Sequence, residues 1–244
     1  MRIQNKVAIV TGGAIRVGRA IAIGLAKRGA HVAITYHTSS SDAKKTVQEI
    51  QNLSVKAIAV KTDVSKKDQV KQLVKKCLDQ FGRIDILVNN AAIFYKTPFQ
   101  KITEKDWDRH IQINLKGTFL CSHAVGLQML KQKSGKIINI ADWAGLRPYQ
   151  NYIPYCVSKA GVICLTQALA KTLAPHIQVN SISPGPILLP ENMPDSEKNA
   201  VIHGTPLKRI GSPSDIAETV IFLVEGSDFI TGANILVDGG RSIA

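Results

Sequence analysis

The chain has 244 residues, 31 Lys+Arg against 18 Asp+Glu, and a formal net charge of +13. No linker-like tract, internal repeat or compositional shift divides it, so a single domain spanning 1–244 is expected. No apolar run reaches the roughly 18 residues of a membrane span, no secretory leader precedes the first apolar run, and the four cysteines have no C-x-x-C or metal-ligand spacing. A cytoplasmic protein with reduced thiols and no metal is the expectation. The positive excess would suit nucleic acid, but the lysines are scattered as pairs (Lys44-Lys45, Lys66-Lys67, Lys75-Lys76) on segments patterned as surface helices. Solvated helix faces and attraction for an anionic small molecule account for the charge.

Lys6-Val-Ala-Ile-Val10 is short, apolar and β-branched, as a buried strand should be. Thr11-Gly12-Gly13 follows, then Arg16-Val17-Gly18-Arg19-Ala20, an apolar-periodic helix and a second strand, His31–Thr35. Glycines at a strand-to-helix turn let the backbone approach a pyrophosphate seated on the helix N-terminus. An ordinary tight turn and a P-loop are the competing readings. The P-loop fails because Arg19 and Ala20 replace the lysine and hydroxyl that it needs. After the second strand the chain reads Tyr36-His37-Thr38-Ser39-Ser40-Ser41, with no acid before Asp42. A carboxylate there would hold a ribose 2′-hydroxyl and repel a 2′-phosphate. His37, Thr38 and Ser39 therefore favour NADPH over NADH.

Strand-like runs recur at 7–11, 31–35, 56–60, 84–88, 136–140, 177–182 and 234–238, with helical patterns between most of them. The alternation predicts an α/β fold with a doubly wound, seven-stranded parallel sheet. Ligands in such sheets bind beyond the carboxyl ends of the strands. Gly12, Asp63-Val64, Asn89-Asn90-Ala91, Asp142 and Pro184-Gly185 all fall there. The irregular, proline-rich stretch from about 185 to 205 is the expected substrate loop.

Tyr155 and Lys159 are four apart and share one helix face. A free tyrosine titrates near pH 10, and an adjacent ammonium favours its phenolate. A shift of about 3 units needs roughly 4 kcal/mol, within reach of a close, desolvated charge. The pair suits proton transfer; an exposed helical face is the competing reading.

Taken together, Thr11-Gly12…Gly18, Asp63-Val64, Asn89-Asn90-Ala91, Asn114 in Ile-Asn-Leu-Lys-Gly, Tyr155…Lys159, Pro184-Gly185 and Val237-Asp238-Gly-Gly240 resemble the short-chain dehydrogenase/reductase family over essentially the whole chain. The resemblance implies a Rossmann fold, a nicotinamide cofactor, Tyr155 as proton donor, Lys159 on the ribose and Asn114 supporting a relay water. It also implies a homotetramer built on two long helices at about 107–131 and 153–173.

Two departures stand out. Most family members have Gly at Arg16 and Ser at Asp142, and both replacements resemble the pteridine reductase branch. So does Asn89-Asn90-Ala91-Ala92-Ile93-Phe94-Tyr95, whose phenylalanine in that branch sandwiches a pterin against the nicotinamide. An ionised carboxylate only accepts hydrogen bonds, whereas a pterin presents N–H groups. The resemblance thus implies NADPH-dependent reduction of a dihydropterin, with Arg16, Phe94, Asp142 and Tyr155 on the substrate. Core packing of Phe94, pyrophosphate binding by Arg16 and a structural Asp142 compete with these roles. Thr38 and Ala92 depart from the arginine and serine usual in the branch. The alternatives are reduction of a 3-oxoacyl thioester and a non-catalytic dinucleotide-binding protein.

Overall fold

The computed structural model describes residues 1–189 and 193–244. Seven strands form one sheet: β1 (Val7–Val10), β2 (His31–Tyr36), β3 (Ala57–Lys61), β4 (Ile86–Asn89), β5 (Gly135–Ile140), β6 (Ile177–Pro184) and β7 (Asn234–Val237). All pairings are parallel, in the order β3-β2-β1-β4-β5-β6-β7. The chain progression reverses between β1 and β4, which opens a crevice at their carboxyl ends.

Helices cover both faces: α1 (Arg16–Lys27), α2 (Ser40–Gln51), α3 (Lys67–Phe81), α4 (Glu104–His110), α5 (Gly117–Gln132), α6 (Ile153–Leu173), α7 (Asp195–His203) and α8 (Pro213–Glu225). Because side chains alternate along a strand, each strand feeds two cores. Ala8, Val10, Ile34, Ile138 and Ile182 pack with Ile21 and Leu25 of α1 and Val220 of α8. Ile9, Leu87, Ile137 and Val179 pack with Leu73 of α3 and Val125 and Met129 of α5. Each such Val, Ile, Leu or Met side chain contributes roughly 1.5–3 kcal/mol of transfer free energy.

Three features differ from expectation. The expected substrate loop contains α7, and its Pro190, Glu191 and Asn192 lie outside the described residues. The first long helix is interrupted: Ile111–Lys116, between α4 and α5, is π-helical. And α6 is long and apolar enough, at mean hydropathy 1.3, to pass as a membrane span by length and composition. Its buried stripe, Tyr155, Ser158, Lys159, Val162, Thr166 and Ala170, follows helical spacing and runs along the protein interior.

Candidate active site

The turn after β1 is stapled to its neighbours. Asn90 N and Ala91 N donate to Thr11 Oγ1 at 2.9 and 3.0 Å, and Asn90 Nδ2 donates to Thr11 O at 2.9 Å and Gly12 O at 3.2 Å. Gly12 N donates to Thr35 Oγ1 at 3.0 Å. Gly12 has φ +62°, and a Cβ on buried Gly18 would collide with the Gly12 carbonyl oxygen. Glycine is thus required where α1 closes on the turn.

Arg16 opens α1, exposed and in the left-handed region at φ +54°. No side chain caps that terminus and no acid lies in its first turn, so its amides remain free for an anion. Val17 packs against the core. Beyond β2, His37 and Thr38 are exposed, and Ser39 precedes α2 without a side-chain capping bond. Asp63 Oδ1 accepts from Ser65 N at 3.0 Å and Ser65 Oγ at 2.7 Å. Burial opposes ionisation of Asp63, but those bonds, His37 and Lys66 outweigh it and hold its pKa below the usual value. Val64 is buried against Gly117. Gly185 N donates to Val237 O at 3.0 Å and the residue packs on Asp238 beside Pro184. An open helix terminus, close-packed glycines and an acid-free β2 exit fit a nicotinamide dinucleotide.

The second half of the site lies beyond β5. Asp142 Oδ1 accepts from Ala144 N at 2.8 Å, which closes a short turn, and Oδ2 accepts from Tyr155 Oη at 2.6 Å. A Cβ on Gly145 would lie 2.9 Å from Ala160 N and Lys159 C, so only glycine lets this turn rest flush on α6. Pro154 sits in the first turn of α6, where its missing N–H is harmless. Tyr155 is 5% exposed and Lys159 4%. Lys159 Nζ donates to Ile140 O at 2.8 Å and stands 5.8 Å from the Tyr155 ring centroid. Asn114, in the π-helical stretch, accepts from Ile93 N at 2.9 Å and donates to Ile93 O and Ser158 Oγ, both at 3.1 Å.

The electrostatics correct one expectation. Burial raises the Asp142 pKa against the opposing pull of Tyr155, Ala144 N and Lys159. Burial, followed by the charge and hydrogen bond of Asp142, pushes Tyr155 well above its ordinary value. Burial brings Lys159 down to about 8, with Asp142 pulling the other way. The ammonium therefore does not lower the phenol here, because it is turned to Ile140 O while the carboxylate touches the hydroxyl.

Phe94 is 51% exposed. One face stacks on Tyr152 (centroids 4.6 Å, planes 7° apart) and the ring meets Tyr155 edge-on at 4.7 Å. Asp142, Tyr155, Lys159 and Phe94 therefore converge, whereas Arg16 belongs to the turn after β1. Sequence reading missed Trp143, Tyr149, Tyr152 and Arg241. Tyr149 meets Trp143 edge-on at 5.4 Å, and the Arg241 guanidinium stands 6.0 Å from the Trp143 ring while Nη1 donates to Val201 O of α7 at 2.9 Å. The available signal was the crowding of aromatic residues between Asp142 and Tyr155.

The fold and the site have counterparts among known proteins. Residues 13–242 match the protein family described as enoyl-(acyl carrier protein) reductase. The chain is 41% identical to the 3-oxoacyl-(acyl-carrier-protein) reductase of Staphylococcus epidermidis, over 97% of this chain and 99% of the relative. It is 40% identical to a (2S)-((R)-hydroxy(phenyl)methyl)succinyl-CoA dehydrogenase subunit of Thauera aromatica, over 100% and 99%. The crystal structure of NAD+-bound xylitol dehydrogenase superposes with a TM-score of 0.93 at 31% identity, covering 98% of this chain and 100% of that one. On this fold, this convergence of side chains and these full-length relatives, the chain belongs to the short-chain dehydrogenase/reductase family and is a nicotinamide-dependent oxidoreductase.

Proposed function

We propose that this protein uses NADPH to reduce the 3-oxo group of an acyl thioester. The observation that carries the reading is the partly buried 2.6 Å bond between Asp142 and Tyr155, a proton source, in a chain whose full-length relatives bear the names of thioester enzymes. The dinucleotide supplies a hydride from C4 of its nicotinamide. Gly12, Arg16, Val17 and Gly18 hold its pyrophosphate half, and His37, Thr38 and Ser39 take the 2′-phosphate. Asp63 and Val64 border the adenine; Asn90, Ala91, Pro184 and Gly185 border the nicotinamide; Tyr155 and Lys159 take the ribose.

Proton delivery follows from the hydrogen bond. With Asp142 ionised, Tyr155 donates to it and offers the substrate no proton. With Asp142 neutral, its O–H donates to Tyr155 Oη, and the phenolic proton points to the substrate oxygen. Burial favours that neutral acid. The carboxylate left after transfer is stabilised by Lys159 and Ala144 N. Residues from about 185 to 205 form the substrate loop, and the assembly is a cytoplasmic homotetramer.

A second reading, reduction of a dihydropterin, is favoured by the half-exposed Phe94 ring edge-on to Tyr155 and by the carboxylate of Asp142. NADPH oxidation with an acetoacetyl thioester and with dihydrobiopterin separates the two. Turnover of the thioester alone supports the first reading. Turnover of the pterin alone overturns it in favour of the second, and loss of all turnover in Tyr155→Phe is expected in either case.

A further inference from the structure

We propose that Arg241 is a positioning residue for substrate: its guanidinium ties the end of α7 to the turn that follows Asp142 and so holds the substrate loop in register with Tyr155. The inference rests on the reading of residues from about 185 to 205 as the substrate loop, and it adds a residue outside the Asp142–Tyr155–Lys159 set.

The last four carbonyls of an α-helix lack intrahelical partners and carry the negative end of its dipole. In α7 the Val201 carbonyl is one of them. Arg241 Nη1 donates to it at 2.9 Å, and Thr205 Oγ1 donates to the same oxygen at 2.8 Å. The guanidinium also lies against Gly204, the residue that ends α7: a Cβ there would overlap Arg241 Nη1 and stand 3.0 Å from Cζ. Gly204 has φ −77°, which any residue can adopt, so the space taken by Arg241 is what demands glycine.

The same guanidinium faces the catalytic turn. Its Cζ stands 6.0 Å from the Trp143 ring, and Trp143 follows Asp142, whose Oδ2 accepts from Tyr155 Oη. An arginine plane can lie over an aromatic face while its edge donates, a combination that a compact ammonium lacks. The segment around Arg241 is itself pinned. Gly240 N and Ser242 N donate to the Asp238 carboxylate at 2.9 and 2.8 Å, and Leu207 N donates to Gly239 O at 3.1 Å. Arg147 Nη1 donates to Ser242 O at 2.6 Å.

Of the two elements joined, the turn is the fixed one. Ala144 N on Asp142 and Gly145 against α6 hold it without help from Arg241. α7 is therefore the element that Arg241 places. Without the tether α7 keeps its position in only a fraction of molecules, and apparent affinity for substrate falls by that fraction. Molecules that do bind substrate still hold Asp142, Tyr155 and Lys159 in place, so the effect falls on KM and spares kcat.

The test is Arg241→Met, with thermal melts to verify folding. We expect the KM for an acetoacetyl thioester to rise on the order of tenfold, the scale of one hydrogen bond from a charged group. The kcat and the KM for NADPH stay within about twofold of wild type. Arg241→Lys recovers part of the loss. Gly204→Ala, which evicts the guanidinium, reproduces it, and the double variant Gly204→Ala/Arg241→Met is no worse than either single one. Hydrogen exchange of the α7 amides in the NADPH complex, which needs no turnover, is faster in Arg241→Met than in wild type. An unchanged thioester KM in folded Arg241→Met overturns the proposal, as does a rise shared equally by NADPH or an additive double variant. A wild type that turns over no thioester overturns the proposed function instead. The α7 exchange rate then judges Arg241 alone: faster exchange supports the tether, and unchanged exchange overturns it.

Discussion

Lys159→Met isolates the free energy stored in one buried ammonium. In the folded protein, burial takes the pKa of Lys159 from 10.5 to about 8. The unfolded chain therefore holds more protons than the native one across that window, so stability rises with pH there. The contribution is fully present above 10.5 and is lost as pH falls through 8. At 1.36 kcal/mol per unit the whole penalty is roughly 3.4 kcal/mol, and linkage leaves about 1.4 kcal/mol of it at pH 9.5. Methionine keeps the length and removes the titration. Urea unfolding without dinucleotide, at pH 7 and 9.5, should show wild type gaining about 2 kcal/mol on Lys159→Met. Titrations shared by both proteins cancel in that comparison, as does any constant loss of the Ile140 bond. A difference constant to within about 0.5 kcal/mol over that range would refute a buried, charged Lys159.

Three other outcomes are expected. Burial and then the charge of Asp142 raise Tyr155, and Asp142→Asn removes that charge while keeping an amide oxygen that can accept; near-ultraviolet titration should find a tyrosine ionising at lower pH than in wild type, and an unchanged titration would detach Tyr155 from the charge of Asp142. Gly145→Val forces a Cβ to 2.9 Å from Ala160 N and Lys159 C. Melting should report about 1–3 kcal/mol of destabilisation together with lost turnover, the scale of an overpacked contact. Thr38→Asp places a carboxylate beside His37 and Ser39, and the ratio of kcat/KM for NADPH over NADH should fall on the order of tenfold or more.

How much of this was readable beforehand follows from where each signal resides. The strands were legible because burial on both faces leaves near-continuous β-branched runs, and each begins and ends within two residues of its expected bounds. The glycine turn was legible because the steric demand at Gly18 is local. Tyr155 and Lys159 were placed together by their spacing, and Asp142 joined them through its position beyond the fifth strand and the family resemblance. The direction of the Tyr155 shift was not, since it depends on which neighbour the fold turns toward the phenol: Lys159 to Ile140 O, Asp142 to the hydroxyl. The arm of Trp143 and Tyr149 was equally invisible, because hydrogen bonds between residues on an irregular segment have no periodicity. α7 was hidden by the prolines flanking it, and α6 showed its membrane-like hydropathy only once its limits were known.

The wide turn at Ile111–Lys116 makes this region far more sensitive to deletion than to substitution. Each residue of a regular helix advances the face by about 100°. Excising one residue and restoring ordinary winding would rotate everything downstream, carrying Cys121, Val125 and Met129 of α5 off the sheet that they cover. The surplus residue is thus a spacer that keeps Asn114 aimed at Ile93 and Ser158 while α5 stays in phase with the interior. A substitution along this stretch disturbs the contacts of one side chain, whereas a change in length displaces every contact downstream.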